Sequence, residues 1–336
     1  MNSKTEPAPQ QRSIWSEYTP YSALQEPGLL AELGRRGIQL AVAVTPPLMA
    51  SSVAVVRACR SAGVSVAIWP MLSDAQGRWA SANNAAPYCR FVRELLALLG
   101  EKAVLPDALA LDLEPPIERI RQLTQRPVAR WFRQRGGEVP SAPPQSVPVA
   151  TSHFAELAAT AGALGLSVLA AVVPPVVLDP DAAARGWQRL LQTPVDTLPL
   201  HVVSTMAYTS LLEGYSRGLV RRSDARALLW KIARATKARY GARASVSVGA
   251  VGTGALGDER TYRDPSELVD DVRIARAAGI DHLALFNLDG ALARPPLAAW
   301  LDALVATEPA TAEPPPTLRA NLLWRGLRAV GYLGQL

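Results

Sequence analysis

The sequence predicts a (β/α)₈ TIM barrel, a closed ring of eight parallel strands with a helix after each. Short apolar runs typical of buried strands alternate with amphipathic segments typical of helices along nearly the whole chain. Glycines follow several helical segments just ahead of the next strand, at Gly37, Gly63, Gly165 and Gly279. A chain of 336 residues with 49% hydrophobic content is long enough for one such barrel. A doubly wound sheet is the alternative that this alternation leaves open.

The predicted strands are short and apolar, as expected of strands that are covered on both faces. In chain order they are Ile14–Tyr18, Gln39–Thr45, Val64–Met71, Ala108–Glu114, Ser167–Val173, His201–Tyr208, Ala244–Ala250 and His282–Asp289. The first strand has the weakest pattern. Eight strands with short helix-to-strand turns favour a closed barrel over an open sheet.

The predicted helices have apolar residues at helical spacing. They are Gly28–Arg36, Ser51–Ser61, Tyr88–Leu99, Ile117–Arg135, Thr151–Leu164, Asp181–Leu191, Ser223–Tyr240 and Ser266–Ala278, with Pro296–Val305 after the eighth strand. One helix start, Asp264-Pro265-Ser266 followed by Glu267, has the residues of a capped N-terminus.

Four stretches flank or interrupt the barrel domain, which is predicted at 13–307. Residues 1–12 are polar and contain two prolines, which predicts a disordered segment. Gly136–Pro148 is rich in proline and predicts an exposed loop insertion. A Pro-rich linker at 308–316 precedes an amphipathic tail at 317–336.

The C-terminal tail alternates apolar residues with arginines. Its apolar residues are Leu318, Leu322, Trp324, Leu327 and Val330, and its arginines are Arg319, Arg325 and Arg328. This pattern predicts a helix that folds back onto the barrel or contacts a second subunit. A helix lying on an anionic membrane surface is the alternative.

Composition excludes several classes of protein. The net charge is +6, but the arginines are spread through helical segments rather than grouped, so we expect no nucleic-acid partner. Two cysteines and three widely separated histidines predict neither a disulfide framework nor a metal site. Gly252-Thr253-Gly254 lacks the remaining residues of a dinucleotide-binding loop, and no cofactor is expected.

The chain has no apolar run long enough, at roughly 18 residues, to span a membrane. Its N-terminus as written lacks the apolar core of a secretory signal. The expected location is therefore the cytoplasm, with export as the alternative if the start site is misassigned.

Two carboxylates, Asp112 and Glu114, stand at the end of the fourth predicted strand. Their spacing of two residues places both on one face of the strand, roughly 7 Å apart along the chain. Adjacent carboxylates raise each other's proton affinity, which suits a general acid beside an ionised partner. The alternative is that both merely end the strand and form ion pairs with Arg119 or Arg121.

Further candidates stand at the C-terminal ends of the strands, where barrel enzymes place their catalytic groups. They are Trp15, Glu17, Trp69, Tyr208, Phe286 and Asp289. Aromatic rings and carboxylates around one cleft suit a carbohydrate, because aromatic faces stack on sugar rings. Packing is the alternative for the aromatic residues, and for Asp289 it is shaping the turn before the last helix.

Residues 107–114, Asp-Ala-Leu-Ala-Leu-Asp-Leu-Glu, resemble the strand-four signature of the chitinase-like glycoside hydrolase family 18, Asp-Gly-x-Asp-x-Asp-x-Glu. Asp107, Asp112 and Glu114 match this signature. Ala108 replaces the glycine and Ala110 replaces the middle aspartate.

Two further strands are similar to the same family. Met206-Ala207-Tyr208-Thr209 resembles its Met-x-Tyr-Asp, with threonine in place of the aspartate. Phe286-Asn287-Leu288-Asp289 resembles the stretch that usually carries a tryptophan at the floor of the sugar site. The family's Ser-x-Gly-Gly signature is absent from Val64–Met71.

The resemblance implies a glycosidase acting on an N-acetylated or related polysaccharide. It implies that Glu114 protonates the leaving oxygen, while Asp112 stabilises the substrate's N-acetyl group, which acts as the nucleophile. It also implies that Tyr208 holds the acetyl oxygen. This scheme needs no second glutamate on strand seven, which ends in Gly249-Ala250-Val251-Gly252. In the family the middle aspartate shares a proton with the next one. Because Ala110 stands in its place, the resemblance implies that the proton affinity of Asp112 differs from that of its counterpart.

Two other functions fit the same residues. The protein can be a non-catalytic barrel that binds glycans, or an enzyme in which Asp112 and Glu114 hold a divalent cation such as Mg²⁺. Binding without turnover would identify the first of these, and metal-dependent activity the second.

Overall fold

The computed structural model describes residues 11–118, 120–121, 146–179, 185–216, 218–306 and 313–333. Eight parallel strands close into a barrel in chain order, and β8 pairs with β1. The predicted (β/α)₈ fold is confirmed and an open doubly wound sheet is excluded. The strands are β1 Arg12–Ser16, β2 Ile38–Val44, β3 Val66–Pro70, β4 Ala108–Leu113, β5 Ser167–Val172, β6 Val202–Met206, β7 Ala244–Gly249 and β8 His282–Phe286.

Helices surround the barrel and connect its strands. Those described are Tyr21–Leu24, Pro27–Arg35, Met49–Ser61, Ala85–Glu101, Ser146–Ala163, Gly186–Leu191, Thr209–Tyr215, Arg222–Tyr240, Pro265–Ala277, Leu288–Ala293, Leu297–Val305 and Leu318–Leu333. The predicted cap is present, because the Asp264 side chain accepts a hydrogen bond from the Ser266 N–H. Most of the predicted helix Ile117–Arg135 lies outside the described residues.

Some predicted boundaries differ from those observed. β1 begins at Arg12, so this residue belongs to the barrel rather than to the predicted N-terminal segment. Its buried guanidinium donates hydrogen bonds to the carbonyls of Asp281 and Leu304, which joins β1 to the last β/α unit. The helix Ser146–Ala163 includes the end of the predicted loop Gly136–Pro148. Residues 1–10, 136–145 and 308–312 lie outside the described part of the chain.

The C-terminal tail forms the helix Leu318–Leu333, which packs on the barrel's outer helices. The Trp187 indole N–H donates to the Leu327 carbonyl at 2.9 Å. Gly331 lies so close to the same indole that a Cβ there would be 2.8 Å from the ring. The tail therefore folds back, which is one of the two arrangements that its sequence predicts. No helix in the described ranges is long and apolar enough to cross a membrane.

The inside of the barrel is lined with alanines, where barrels commonly carry bulky branched residues. Ala41, Ala67 and Ala110 belong to one buried cluster with the indoles of Trp15 and Trp69. The two rings meet edge to face, with centroids 4.9 Å apart. Small side chains thus make room for two indoles. An acid at position 110 would be buried among apolar groups, which accounts for alanine at that position.

Candidate active site

The backbone of Ala80, in the connection after β3, pairs with the end of β4 and holds Asp112 and Glu114 in place. The two strands pair only through Ala67–Ala108 and Ile68–Leu109. Beyond these pairs the connection after β3 folds back, and the Ala80 N–H donates to the Asp112 carbonyl at 2.9 Å. The Glu114 N–H donates to the Ala80 carbonyl at 3.2 Å. Both acids are therefore carried by paired backbone rather than by a free loop.

The side chains of Asp112 and Glu114 hydrogen bond to each other, as their predicted shared face requires. Burial and then the charge of Glu114 raise the pKa of Asp112 well above its usual range. Burial raises the pKa of Glu114 to about 7, against the lowering effect of the hydrogen bond from Asp112. The raised pKa values favour a proton shared within the pair, in a hydrogen bond that Asp112 donates to Glu114.

Ion pairing with Arg119 or Arg121 is the alternative role that the sequence leaves open for Asp112 and Glu114. Among the described residues, neither acid forms an ion pair with Arg121. Its guanidinium contacts Asp74 and Glu118, each at 2.7 Å. Arg119 lies outside the described residues. Oδ1 of Asp112 is buried and has no hydrogen-bond partner within the described part of the chain. It is therefore an unpaired hydrogen-bond acceptor beside Glu114.

Glu17 is a third carboxylate at the barrel mouth, and its side chain is only 2% exposed. It forms an ion pair with Arg78, which also donates to Asp74 at 2.7 Å and to the Tyr18 hydroxyl at 2.8 Å. The charge of Glu17 contributes to the raised pKa values of both Asp112 and Glu114. Glu17 thus acts on the acid pair through its field.

Asp289 holds the turn after β1. Oδ2 accepts the Glu17 N–H at 2.9 Å, and Oδ1 accepts the N–H groups of Tyr18 and Thr19 at 3.2 and 2.7 Å. Both carboxylate oxygens are thus occupied by the backbone of the first connection. This geometry makes Asp289 a positioning residue for Glu17.

The aromatic residues fall into two groups. Tyr208 and Phe286 are stacked at the mouth, with centroids 5.6 Å apart, and the Tyr208 hydroxyl hydrogen bonds with Ser247. Trp15 and Trp69 are instead buried in the barrel, and their faces are not open for stacking. Packing, the alternative that the sequence leaves open for them, describes both residues, and each carries a buried indole N–H without a partner among the described residues.

Besides Arg78, two residues at the mouth were not among the sequence candidates. Trp79 follows Arg78 in the connection after β3 and packs in the cluster of Trp15. Glu259 lies in the connection after β7, where a Cβ on Gly254 would be 3.2 Å from Glu259 Oε1 and 3.1 Å from Phe286 Cζ. Both come from long connections, whose course a strand pattern does not predict.

Thr209, which replaces the aspartate of the family's strand-six motif, belongs to a buried polar network. Its hydroxyl donates to Asp271, which also accepts from Tyr262 at 2.7 Å and pairs with Arg222 at 3.1 Å. The network joins the connections after β6 and β7, and Thr209 therefore supports the turn at Tyr208. Because threonine stands in place of the aspartate, this position brings no carboxylate to the acid pair.

Within the described ranges, no group of three or more His, Cys, Asp or Glu residues could hold a metal ion. Two of the histidines bind backbone instead. His201 Nδ1 accepts the Val168 N–H at 3.0 Å, and His282 Nδ1 accepts the Gln11 N–H at 3.3 Å.

No family model matches the chain, and no curated protein matches its sequence. Solved structures do resemble it. The PgaB (BpsB) glycoside hydrolase domain from Bordetella bronchiseptica aligns over 89% of this chain and 100% of that one, with 13% identity and a TM-score of 0.55. An endo-beta-mannanase/endo-beta-glucanase from Prevotella bryantii aligns over 88% of this chain and 48% of that one, with 12% identity and a TM-score of 0.53.

Other similar structures include sugar epimerases and a family 18 chitinase from Cycas revoluta. The chitinase aligns over 88% of this chain and 98% of that one, but with 13% identity and a TM-score of only 0.48. The chain is thus a (β/α)₈ barrel whose structural neighbours are glycoside hydrolases and sugar epimerases. Identities this low establish the fold, and membership of family 18 is not confirmed.

Proposed function

We propose that this protein is a glycoside hydrolase that acts on an N-acetylated or related polysaccharide, with Glu114 as general acid. The observation that carries the proposal is the hydrogen-bonded pair of Asp112 and Glu114 at the barrel mouth, with the pKa of Glu114 raised to about 7. A general acid works best when its pKa lies near the operating pH. The glycoside hydrolases among its structural neighbours are consistent with this chemistry.

In the proposed reaction, protonated Glu114 gives its proton to the glycosidic oxygen as the bond to the anomeric carbon breaks. The carbonyl oxygen of the substrate's own N-acetyl group attacks that carbon and forms a cyclic intermediate. Asp112 accepts a hydrogen bond from the acetamido N–H, and Tyr208 donates one to the acetyl oxygen. Water then opens the ring and gives a proton to Glu114, which restores the acid.

Three unpartnered buried atoms support a polar ligand at this site. They are the indole nitrogens of Trp15 and Trp69, which are donors, and Oδ1 of Asp112, which is an acceptor. Leaving such a group buried and unpaired costs about 1–3 kcal/mol. A sugar carries hydroxyl and amide groups that both donate and accept, so its binding offsets these costs.

A non-catalytic glycan-binding barrel is the second candidate, and Ala110 is the observation that favours it. The middle acid of the family signature is replaced here by a residue packed against indoles. The loss of that acid leaves a sugar site with one proton-sharing group fewer.

The experiment that tests the proposal is turnover of a panel of labelled glycosides, N-acetylglucosaminides included, together with direct binding of the same sugars. Release of the label at a rate proportional to the concentration of the protein supports glycosidase activity. Binding of sugars with no turnover on any member would replace it with the glycan-binding barrel. Activity that appears only with added Mg²⁺ would instead support the metal-holding pair.

The pH dependence of that turnover follows from the acid pair. We expect kcat/KM to fall as pH rises through about 7, because burial raises the pKa of Glu114 to about 7 and only its protonated form donates. Glu17→Gln removes a negative charge that raises this pKa, so the fall is expected at lower pH. The control is Glu118→Gln, an exposed acid paired with Arg121. If Glu17→Gln had the same pH dependence of kcat/KM as the wild type, the effect of the Glu17 charge on the pKa of Glu114 would be contradicted.

A further inference from the structure

The helix Leu318–Leu333, here called the tail helix, has one side against the barrel and one side open. Ala320 is buried, and Trp324, Leu327 and Val330 pack against the barrel's outer helices. These residues recur every three or four positions, so they form one stripe along the helix. The opposite side, which includes Leu322, Arg325 and Ala329, is exposed and is available to a partner.

That open side carries an unusual share of the exposed apolar surface. Ten large hydrophobic residues are exposed in the described part of the chain, and four of them lie on this helix of 16 residues. They are Leu318 (75%), Leu322 (58%) and Tyr332 (49%) on the open side, and Leu323 (37%) at the edge of the packed stripe. Leu219, exposed to 64%, precedes Val220, which packs in the same small cluster as Ala320. Exposed apolar residues concentrated in this way mark an interaction surface.

The charges of the tail helix are all positive. It contains Arg319, Arg325 and Arg328 and no acidic residue. Arg319 reaches Asp224 at 4.0 Å, whereas Arg325 and Arg328 form no ion pair with any described residue. The Lys231 ammonium lies 6.0 Å from the centre of the Trp324 ring and adds another cation beside the helix. The partner must therefore be apolar and negatively charged at once.

We propose that the open face of the tail helix binds an anionic lipid surface, with its leucines at the acyl boundary and its arginines on lipid phosphates. A helix of about 24 Å, from 1.5 Å per residue, lies flat in the interface and does not span it. Guanidinium groups bind phosphate oxygens through paired hydrogen bonds, and anionic headgroups attract clustered arginines. A lipid surface supplies both features of the required partner.

A second copy of this chain fits the same face less well. A two-fold dimer would place the face against itself, since symmetric contacts use the same patch on both subunits. Arg325 and Arg328 would then approach the same arginines of the partner, with no acid on the helix to separate them. The charge pattern therefore favours lipid over self-association.

The test is co-sedimentation of the full chain with vesicles of phosphatidylcholine alone and of phosphatidylcholine with phosphatidylglycerol. We expect binding to the anionic vesicles that weakens with added salt, and little binding to the neutral ones. Leu318→Ser with Leu322→Ser, and separately Arg325→Glu, are expected to reduce the bound fraction at least about tenfold. These residues are exposed, so the variants should retain the wild-type circular dichroism spectrum.

Matched controls are Leu48→Ser with Leu164→Ser, which remove exposed leucines elsewhere, and Arg90→Glu, which makes the same charge change on another helix. These should bind vesicles as the wild type does. No binding of wild type to anionic vesicles, or equal binding by the tail variants, would overturn the proposal. A concentration-dependent dimer that the tail variants abolish, in the absence of vesicle binding, would assign the face to a second copy.

Discussion

Replacing Glu114 with glutamine is expected to lower kcat by about 10²–10⁴ on any glycoside that the wild type cleaves. The amide keeps the shape of the side chain but has no carboxylic proton to give to the leaving oxygen. Because the loss concerns proton transfer, sugar binding should change far less than kcat. The measurement is steady-state kinetics of both proteins, with binding of an uncleaved sugar by calorimetry.

Stability distinguishes this loss from misfolding. Burial raises the pKa of Glu114 in the folded state to about 7, above its ordinary value in the unfolded chain. The folded state therefore loses stability as the pH rises from that ordinary pKa to about 7, because the carboxylate ionises more easily in the unfolded chain. Glutamine removes that penalty, and Glu114→Gln should be at least as stable as wild type above pH 7. Glu118→Gln changes an exposed acid that pairs with Arg121, so it is the matched control and should keep wild-type kcat. A Glu114→Gln protein that retains kcat within a few-fold would remove Glu114 as the acid.

Replacing Gly290 with alanine is expected to destabilise the fold by about 3 kcal/mol or more. A Cβ at Gly290 would lie 2.1 Å from the Gly252 nitrogen and 2.4 Å from its Cα. Both contacts are to backbone, so no side chain can move aside. The connections after β7 and β8 would have to separate, and the turn that carries Asp289 would shift with them. Urea unfolding of the variant and wild type measures the difference.

The control for this prediction is Gly162→Ala. Gly162 lies in the helix Ser146–Ala163, and a Cβ there would meet nothing within 4 Å. Alanine should stabilise this helix by about 0.5–1 kcal/mol, because glycine loses more backbone entropy on folding. Similar unfolding midpoints for the two variants would show that the Gly252–Gly290 contact relaxes without cost.

The strands of the barrel could be predicted because their signal is local. Apolar runs such as Ala108–Glu114 and Ala244–Ala250 end within a residue or so of the observed strands. The shared face of Asp112 and Glu114 could be predicted from equally local information. Successive side chains of a strand point to opposite faces, so residues two apart lie on the same face. The helix ends were less certain, because hydrogen bonding at a helix terminus depends on its surroundings.

The rest of the site could not be predicted in the same way. Arg78, Trp79 and Glu259 reach the mouth from connections whose paths depend on distant contacts, such as the bridge from Ala80 to Leu113. Trp15 and Trp69 were candidates for the sugar site with packing as the alternative, and only the closed barrel shows that the two rings bury each other. Asp289 was predicted as a sugar ligand, but it lies against the backbone of residues 16–19.

The sequence by itself determined the barrel and the pairing of the two acids, since both depend on periodicity within a few residues. Only the tertiary structure decided what those acids can do. Closing β8 onto β1 brings Glu17 and its partner Arg78 near Glu114, and packing withdraws the pair from solvent. A carboxylate's pKa depends on every charge and dipole around it and on its distance from water. Those neighbours come from strands far apart in the chain, and no local pattern encodes their distances.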